Sequence, residues 1–386
     1  MLNITFVSFV LIVDLFHQSS PPPVTNKFKQ AISEIESLGG VIEVQPKDQF
    51  VLSLELESSS DLTKALLIAK QLPLTTLIVS GSGFADEHAP IVRHFSELSS
   101  IFAAETALTD SGVKAICGAK SIRNLDLAST KVTDGCFLFL ASLPDLEHVD
   151  LSRTKVTGRE LQVLKNCVKL RALTLAFCRL SDEGFNGLGQ LTRLRKLNLD
   201  TAKIADRNLE DLGKLGNLEF LDLEGKSILG SGLKYLATLS KLKRLSLNRD
   251  YYRTFNVGPI KTSDADIEGY YEMRRSMWGA MSLEDLPALD SLEELDLIAS
   301  QLSRKSVERI ALLPNLRILD LQGSSVNDED VAILVRCKSL KQVFVDYSKV
   351  TDRGKMRLRE ALGRDVILSR SELLLRRVEE PMRESK

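Results

Sequence analysis

The sequence predicts an α/β solenoid, a curved right-handed horseshoe with a parallel sheet on its concave side and helices on its convex side. The first observation is a fixed period: the outline LDLASTKVTDG, which begins at Leu125, returns at Val149, Leu173, Leu197 and Leu221. Each start lies 24 residues after the last, so we expect about 24 residues per coil. Such units cannot bury an apolar face alone, and stacked neighbours form a continuous core.

The second observation is the order of elements within a unit. The LxL stretch alternates inward and outward side chains as a short strand does, and a further apolar residue seven positions on, such as Val132, turns into the core. A Thr or Ser followed by Asp then indicates a helix start, because the hydroxyl accepts from an open amide and the carboxylate complements the helix dipole. Apolar residues follow at helical spacing, as at Phe185, Leu188 and Leu191.

The repeat array is predicted to occupy residues 61–368, with one leading apolar residue per strand. These are Leu77, Ile101, Leu125, Val149, Leu173, Leu197, Leu221, Leu245, Leu295, Leu319 and Val343. Residues 27–60 are predicted to form a cap: a helix that stops at Gly39 and Gly40, then two strands that begin at Val41 and Phe50. A last helix and a strand from Val366 lead into a C-terminal cap or tail over residues 369–386.

The N-terminal residues 1–26 consist of an apolar stretch and a Pro-rich linker. The stretch has the length of a secretory signal core, but no Lys or Arg precedes it and Asp14 interrupts it. It is also too short to predict a transmembrane span. Export to the cell envelope and a cytoplasmic location both stay open, and membrane contact is expected only if this segment is retained.

Charge and cysteine content exclude several classes of function. The chain carries 51 basic and 52 acidic side chains, so it has no global field that would attract nucleic acid. We therefore predict no nucleic-acid partner. The five cysteines form no CxxC pair or zinc spacing, and we expect buried structural thiols in preference to a redox or metal role: Cys117, Cys136, Cys167, Cys178 and Cys337.

A break in the period marks an inserted segment, residues 249–282. Leu245 and Leu295 lie 50 residues apart, which exceeds one period by 26. The segment holds four of the six tyrosines and the only tryptophan: Tyr251, Tyr252, Tyr270, Tyr271 and Trp278. Insertions in repeat proteins often lie on the binding face, and aromatic residues are enriched at interfaces. A protein-binding role is one hypothesis; a divergent repeat with aromatics packed on the convex side is the other.

An acidic column is predicted on the concave face. Side chains between the two inward strand leucines point outward, and five of them are carboxylates: Asp126, Asp150, Asp222, Asp296 and Asp320. This column predicts a partner with a basic surface, while the alternative is a solvated carboxylate ladder without a partner. Phe102 and Phe344 occupy the same column and are expected to be exposed.

Catalysis finds little support in the sequence. The four histidines are scattered, and neither a phosphate loop nor a GxSxG nucleophile motif occurs. Acid/base work needs environments that separate two pKa values, and an open solvated column would not supply them. We predict a non-enzymatic protein with no catalytic residues, no metal and no small-molecule cofactor.

The consensus LxxLxL, present here as residues 122–127, resembles the leucine-rich repeat family. The TKVTD corner and the cap ending in IESLGG resemble bacterial members and the cysteine-containing subclass of F-box substrate receptors. The chain departs from them at the ladder position, where it has Thr130, Thr154, Cys178, Ala202, Lys226, Ser300, Ser324 and Ser348.

This resemblance implies a protein-binding scaffold with no shared catalytic residues. The alternative function it suggests is the substrate-recognition subunit of an F-box-type, ubiquitin-ligase-like complex. Against that alternative, residues 1–60 show no three-helix segment of the F-box kind.

Overall fold

The computed structural model describes residues 28–45, 49–224, 228–247, 271–273, 281–363, 366 and 369. The chain forms two compact units, Met1–Leu194 (unit 1) and Arg195–Lys386 (unit 2), and within each unit the strands lie side by side in chain order. The apolar segment 1–26 lies outside the described residues. So do Lys226, Tyr251, Tyr252, Tyr270 and Trp278.

Unit 1 begins with the predicted cap. Helix α1 (Lys29–Ser37) ends where Gly39, in the left-handed region with φ +90°, donates its amide to the Glu36 carbonyl at 2.9 Å. Strand β1 (Val41–Gln45) then pairs antiparallel with β2 (Gln49–Ser53). The predicted helix and both predicted strands are therefore confirmed.

The remaining strands of unit 1 are parallel and shift by one period at each step. They are β3 (Leu74–Ile78), β4 (Ser100–Phe102), β5 (Asn124–Asp126), β6 (His148–Asp150) and β7 (Ala172–Thr174). In the register, Leu77 pairs with Ile101, Leu125 with Val149, and Val149 with Leu173. The opposite side carries α2 (Ser59–Ala69), α3 (Asp110–Ile116), α4 (Cys136–Leu140), α5 (Asp182–Leu188) and 3₁₀ turns at Ala89–His94 and Leu161–Asn166.

Unit 2 repeats this plan. Its strands are β8 (Lys196–Asn198), β9 (Phe220–Asp222), β10 (Arg244–Ser246), β11 (Glu294–Asp296), β12 (Ile318–Asp320) and β13 (Gln342–Phe344). Its helices are α6 (Leu209–Leu212), α7 (Arg304–Ile310), α8 (Asp328–Leu334) and α9 (Asp352–Leu362), with 3₁₀ turns at Asp206–Asn208 and Leu233–Thr238. Leu245 pairs directly with Leu295, so the inserted segment leaves the sheet register unbroken.

The core consists of the predicted inward positions. Leu125, Leu127 and Val132 are buried in one coil, and Phe185 and Leu188 supply the helical side in another. All five cysteines are reduced and buried, and burial raises the pKa of the Cys117 thiol to about 12. The prediction of packed structural thiols is confirmed. Among the described helices, none is long and apolar enough to cross a bilayer.

A residue with left-handed backbone conformation follows each of the strands β3 to β8 and β11 to β13. The equivalent positions after β9 and β10 lie outside the described residues. The left-handed residues have φ between +54° and +69° and recur with the period; we call them the left-handed column. In unit 1 the column is Gly81, Glu105, Ser129, Arg153 and Phe177, and in unit 2 its described members are Thr201, Ala299, Gly323 and Tyr347. The column marks the corner at which the chain leaves the sheet.

Side-chain hydroxyls occupy five of the eight ladder positions: Thr130, Thr154, Ser300, Ser324 and Ser348. Thr130 Oγ1 donates to the Leu127 carbonyl at 2.6 Å, and Ser348 Oγ donates to the Val345 carbonyl at the same distance. Each hydroxyl thus satisfies a strand carbonyl of its own coil. Cys178 Sγ instead reaches the Leu151 carbonyl, in the preceding coil, at 3.1 Å.

The recurring Thr-Asp pair joins neighbouring coils, a role that the sequence did not predict. Asp86 accepts the amide of Thr109 at 2.8 Å and its hydroxyl at 2.5 Å, and Asp328 binds Thr351 in the same way. Thr109 also caps its helix as predicted, by accepting from the Ser111 amide. Thr351 makes no such cap bond; its hydroxyl is directed to Asp328 of the previous coil.

Candidate protein-binding surfaces

The acidic column of unit 1 is Asp126 and Asp150. Asp126 Oδ1 accepts the amide of Ala128 at 2.9 Å, and Asp150 Oδ1 accepts the amide of Ser152 at 2.8 Å. Each carboxylate turns back onto the chain two residues ahead instead of extending into water. Asp126 is only 6% exposed, so the expectation of a solvated ladder is wrong for this residue, whereas Asp150 is partly exposed.

The acidic column of unit 2 shows the same contact. Asp222 accepts the amide of Glu224 at 3.1 Å, Asp296 that of Ile298 at 3.3 Å, and Asp320 that of Gln322 at 3.1 Å. Asp320 is 3% exposed, whereas Asp222 and Asp296 are partly exposed. The solvated ladder is therefore wrong for Asp320 as well, while Asp222 and Asp296 show that this hydrogen bond does not by itself bury the carboxylate.

Asn198 occupies the same column and makes the same bond. Its Oδ1 accepts the amide of Asp200 at 2.8 Å. A neutral amide oxygen at this slot accepts the same bond as a carboxylate oxygen, and Phe102 and Phe344 occupy the slot without such a bond. The negative charge at Asp126 and Asp150 is not required by this local geometry.

Burial makes that charge unfavourable. Burial, the larger cause, and the neighbouring Asp150 together raise the pKa of Asp126 to about 7. Burial also raises the pKa of Asp150, while in unit 2 burial and the nearby Asp200 raise the pKa of Asp222 to about 7. The expectation of an open, solvated column is wrong for Asp126, but raising the pKa values of Asp126 and Asp150 in the same direction does not by itself separate them as acid/base work requires.

A polar network flanks the acidic column in unit 1. Asn124 Nδ2 donates to Ser100 Oγ at 2.9 Å, and His148 Nδ1 lies 2.7 Å from Asn124 Oδ1. The Asn124 oxygen can only accept, so His148 donates from Nδ1. His148 itself is exposed. The strand face of unit 1 thus presents hydrogen-bonding groups at successive coils beside buried carboxylates.

Tyr271, from the inserted segment, lies on the left-handed column of unit 2. Its ring stacks on Tyr347, with centroids 5.5 Å apart and planes at 24°, and it packs against Ile298 and Ala299. Tyr271 is 7% exposed, whereas Met273, two residues on, is 49% exposed. Of the five aromatic residues predicted as binding candidates in this segment, Tyr271 is the one that the structure describes.

The two phenylalanines of the column differ. Phe102 is partly exposed, but Phe344 is 4% exposed, so its predicted exposure is wrong. Removing a phenyl ring from water is favourable, and the ring is covered within unit 2.

Over the residues that the structure describes, no group of three or more His, Cys, Asp or Glu side chains could hold a metal ion.

The fold is that of leucine-rich repeat proteins. An internalin, InlF of Listeria monocytogenes, superimposes with a TM-score of 0.55 over 94% of this chain and 96% of its own, at 17% sequence identity. Internalin C2 of the same species covers 50% of this chain and 80% of its own, with 19% identity and a TM-score of 0.39. No protein-family model and no curated protein matches the sequence.

Proposed function

We propose that this chain is a non-catalytic protein-binding scaffold whose strand face binds basic side chains of a partner. Leucine-rich repeats are extended arrays that present side chains from successive strands at a fixed spacing, a geometry suited to a protein surface. The F-box-type role stays a prediction that no observation here favours.

One observation carries the proposal: Asp126 and Asp150 are ionisable side chains at a slot where a neutral side chain would make the same turn. Asn198 shows that a neutral amide makes the same turn. The like charges are also unfavourable, since burial and mutual repulsion raise the pKa of Asp126. Local features that destabilise a fold and contribute nothing to its structure are typical of functional sites. A lysine or arginine of a partner would neutralise the pair and lower both pKa values.

The inserted segment is the second candidate surface. Its described residues combine a buried anchor, Tyr271, with the half-exposed Met273, a residue type enriched at interfaces. Deleting the segment and deleting the column charges therefore test two separate surfaces.

The test is affinity capture from the native host's extract with purified wild-type chain and Asp126→Asn/Asp150→Asn, quantified by mass spectrometry. The double variant keeps both side-chain oxygens, so we expect a native circular dichroism spectrum and loss of a specific partner. Asp145→Asn/Asp211→Asn removes two charges that pair with Lys169 and Lys214 outside the column, and should retain the partner. Full retention by the column variant would contradict the proposal for unit 1.

A fourth bait carries an ordinary linker in place of residues 249–282. Loss of the partner with this bait alone would assign binding to the inserted segment. Loss with both the linker bait and the column variant would indicate that the partner contacts both surfaces.

A further inference from the structure

Gly323 lies beneath the Tyr271 ring. A Cβ atom added to Gly323 would lie 2.1 Å from Tyr271 Cδ1 and 2.5 Å from Cε1, far inside van der Waals contact. Alanine here would therefore displace the tyrosine ring or the backbone that supports it.

The left-handed backbone alone does not explain this glycine. Seven of the nine described members of the column are not glycine, although all have φ between +54° and +69°. Ser129, Arg153 and Thr201, for example, adopt the same conformation with a Cβ. The glycine at position 323 is instead explained by the close approach of an aromatic ring.

The neighbouring column members complete a socket around the ring. Ala299 is buried on one side, and Tyr347 provides a stacking partner on the other at 5.5 Å. Ile298 is buried beside Ala299, and it is larger than every residue at the corresponding place in the repeats of unit 1: Ser80, Ala104, Ala128, Ser152 and Ala176. A small residue, a glycine and an aromatic residue in successive coils form a surface complementary to one flat ring.

The inserted segment is also fixed at its C-terminal end. Ser282 donates its amide to the Leu229 carbonyl at 2.8 Å, and its own carbonyl would lie 1.8 Å from a Cβ on Gly230. Asp206 holds that corner by accepting the amides of Leu229 and Gly230 at 3.1 Å and 3.0 Å. Tyr271 is therefore a second attachment point, eleven residues before the first.

We infer that Ala299, Gly323 and Tyr347 form a binding site for one aromatic side chain, filled in this chain by its own Tyr271, which fastens the inserted segment to the repeats that follow it. This attachment requires no partner and holds whether or not the acidic column binds one.

Two properties of the sequence make the attachment measurable in the full-length protein. Trp278 is the only tryptophan, so its fluorescence reports on the inserted segment alone. The segment also contains five trypsin sites, at Arg249, Arg253, Lys261, Arg274 and Arg275. Acrylamide quenching of Trp278 and the rate of tryptic cleavage within residues 249–282 are the two readouts.

We expect Tyr271→Ala and Gly323→Ala each to accelerate cleavage within the segment by at least about tenfold and to change Trp278 quenching, because local opening is no longer opposed by the socket. Tyr271→Phe keeps the ring and should stay within about twofold of wild type. Gly81→Ala imposes the same left-handed backbone penalty in unit 1 and should leave the segment unaffected.

The double variant gives the sharpest outcome. Once Tyr271→Ala has removed the ring, Gly323→Ala has nothing to collide with and should add no further effect, whereas independent sites would add. Tyr347→Ala removes one wall of the socket and should also accelerate cleavage, which keeps the test available if Gly323→Ala fails to fold.

Three results would overturn the inference. Wild-type cleavage and quenching in both Tyr271→Ala and Gly323→Ala would show that the ring fastens nothing. Equal acceleration of cleavage inside and outside residues 249–282 would show general destabilisation. A Tyr271→Phe variant that behaves like Tyr271→Ala would assign the attachment to the hydroxyl and not to the ring.

Discussion

The left-handed column has the same backbone conformation in both units but different surroundings. In unit 1, Gly81 and Glu105 are exposed and Phe177 is partly exposed beneath the Arg153 guanidinium, 4.1 Å from its ring centroid. In unit 2, Ala299 and Gly323 are buried, with Tyr271 packed on them. The comparison separates two causes. The repeat determines the backbone conformation at each corner, whereas a segment outside the repeat covers the corner residues of unit 2.

The largest expected effect tests whether the two units are equivalent in their cores. Leu125→Ala in unit 1 and Leu221→Ala in unit 2 each remove a buried inward leucine, and each should lower the free energy of unfolding by about 2–5 kcal/mol. Urea denaturation monitored by circular dichroism gives the values. An unchanged stability for either variant would contradict the assigned register of that unit.

A smaller effect concerns the acidic column and pH. The pKa of Asp126 is about 7 in the folded chain and ordinarily about 3.9 in an unfolded one. The folded state therefore holds a proton that the unfolded state releases, and this contribution to stability is present below about pH 4 and lost as pH rises through about 7. Because the two pKa values differ by about 3, Asp126→Asn should raise the free energy of unfolding at about pH 8 by up to about 4 kcal/mol and change it little at about pH 4.

The reciprocal variant in unit 2 sharpens that comparison. Asn198→Asp places a carboxylate at the neutral member of the column, so its stability should fall as pH rises, opposite to the gain in unit 1. Urea midpoints across the pH range measure both variants. A pH profile of Asp126→Asn that parallels wild type would contradict the assignment of the raised pKa to this carboxylate.

The smallest effect is at the left-handed column itself. Ser129→Gly relieves a left-handed non-glycine residue and should stabilise the chain by about 0.5–1 kcal/mol, after the larger backbone entropy of glycine is subtracted. Ala299→Gly relieves the same strain but removes a methyl group packed near Tyr271, so its gain should be smaller or absent. Thermal melts of the two variants test the difference, and an equal gain would argue against a contribution of the Ala299 methyl group.

The sequence predicted most of the fold because the repeat superimposes equivalent positions. Leu245 and Leu295 pair in register although they lie 50 positions apart, as their shared LxL pattern indicated. The cap helix was also predictable, since its apolar spacing and terminal glycines are local signals.

The candidate surfaces were less predictable. Alternation along a strand gives the direction of Asp126 but not the path of its oxygen back to the Ala128 amide, so burial and the raised pKa were missed. Asn198 in the same column was an available signal, because Asn and Asp share the ability to accept that amide. The Thr-Asp pairs likewise recurred in the sequence, and their spacing placed Asp86 one coil before Thr109.

The period, the register of the strands and the identity of the core can be inferred from the sequence alone, because hydrophobic burial selects the same positions in every coil. The burial of particular carboxylates and the position of Tyr271 depend on tertiary packing. Tyr271 and Tyr347 are 76 residues apart, and no local propensity relates them. Their contact exists because stacking the coils brings Ala299, Gly323 and Tyr347 into one column, against which a ring from outside the repeat can pack.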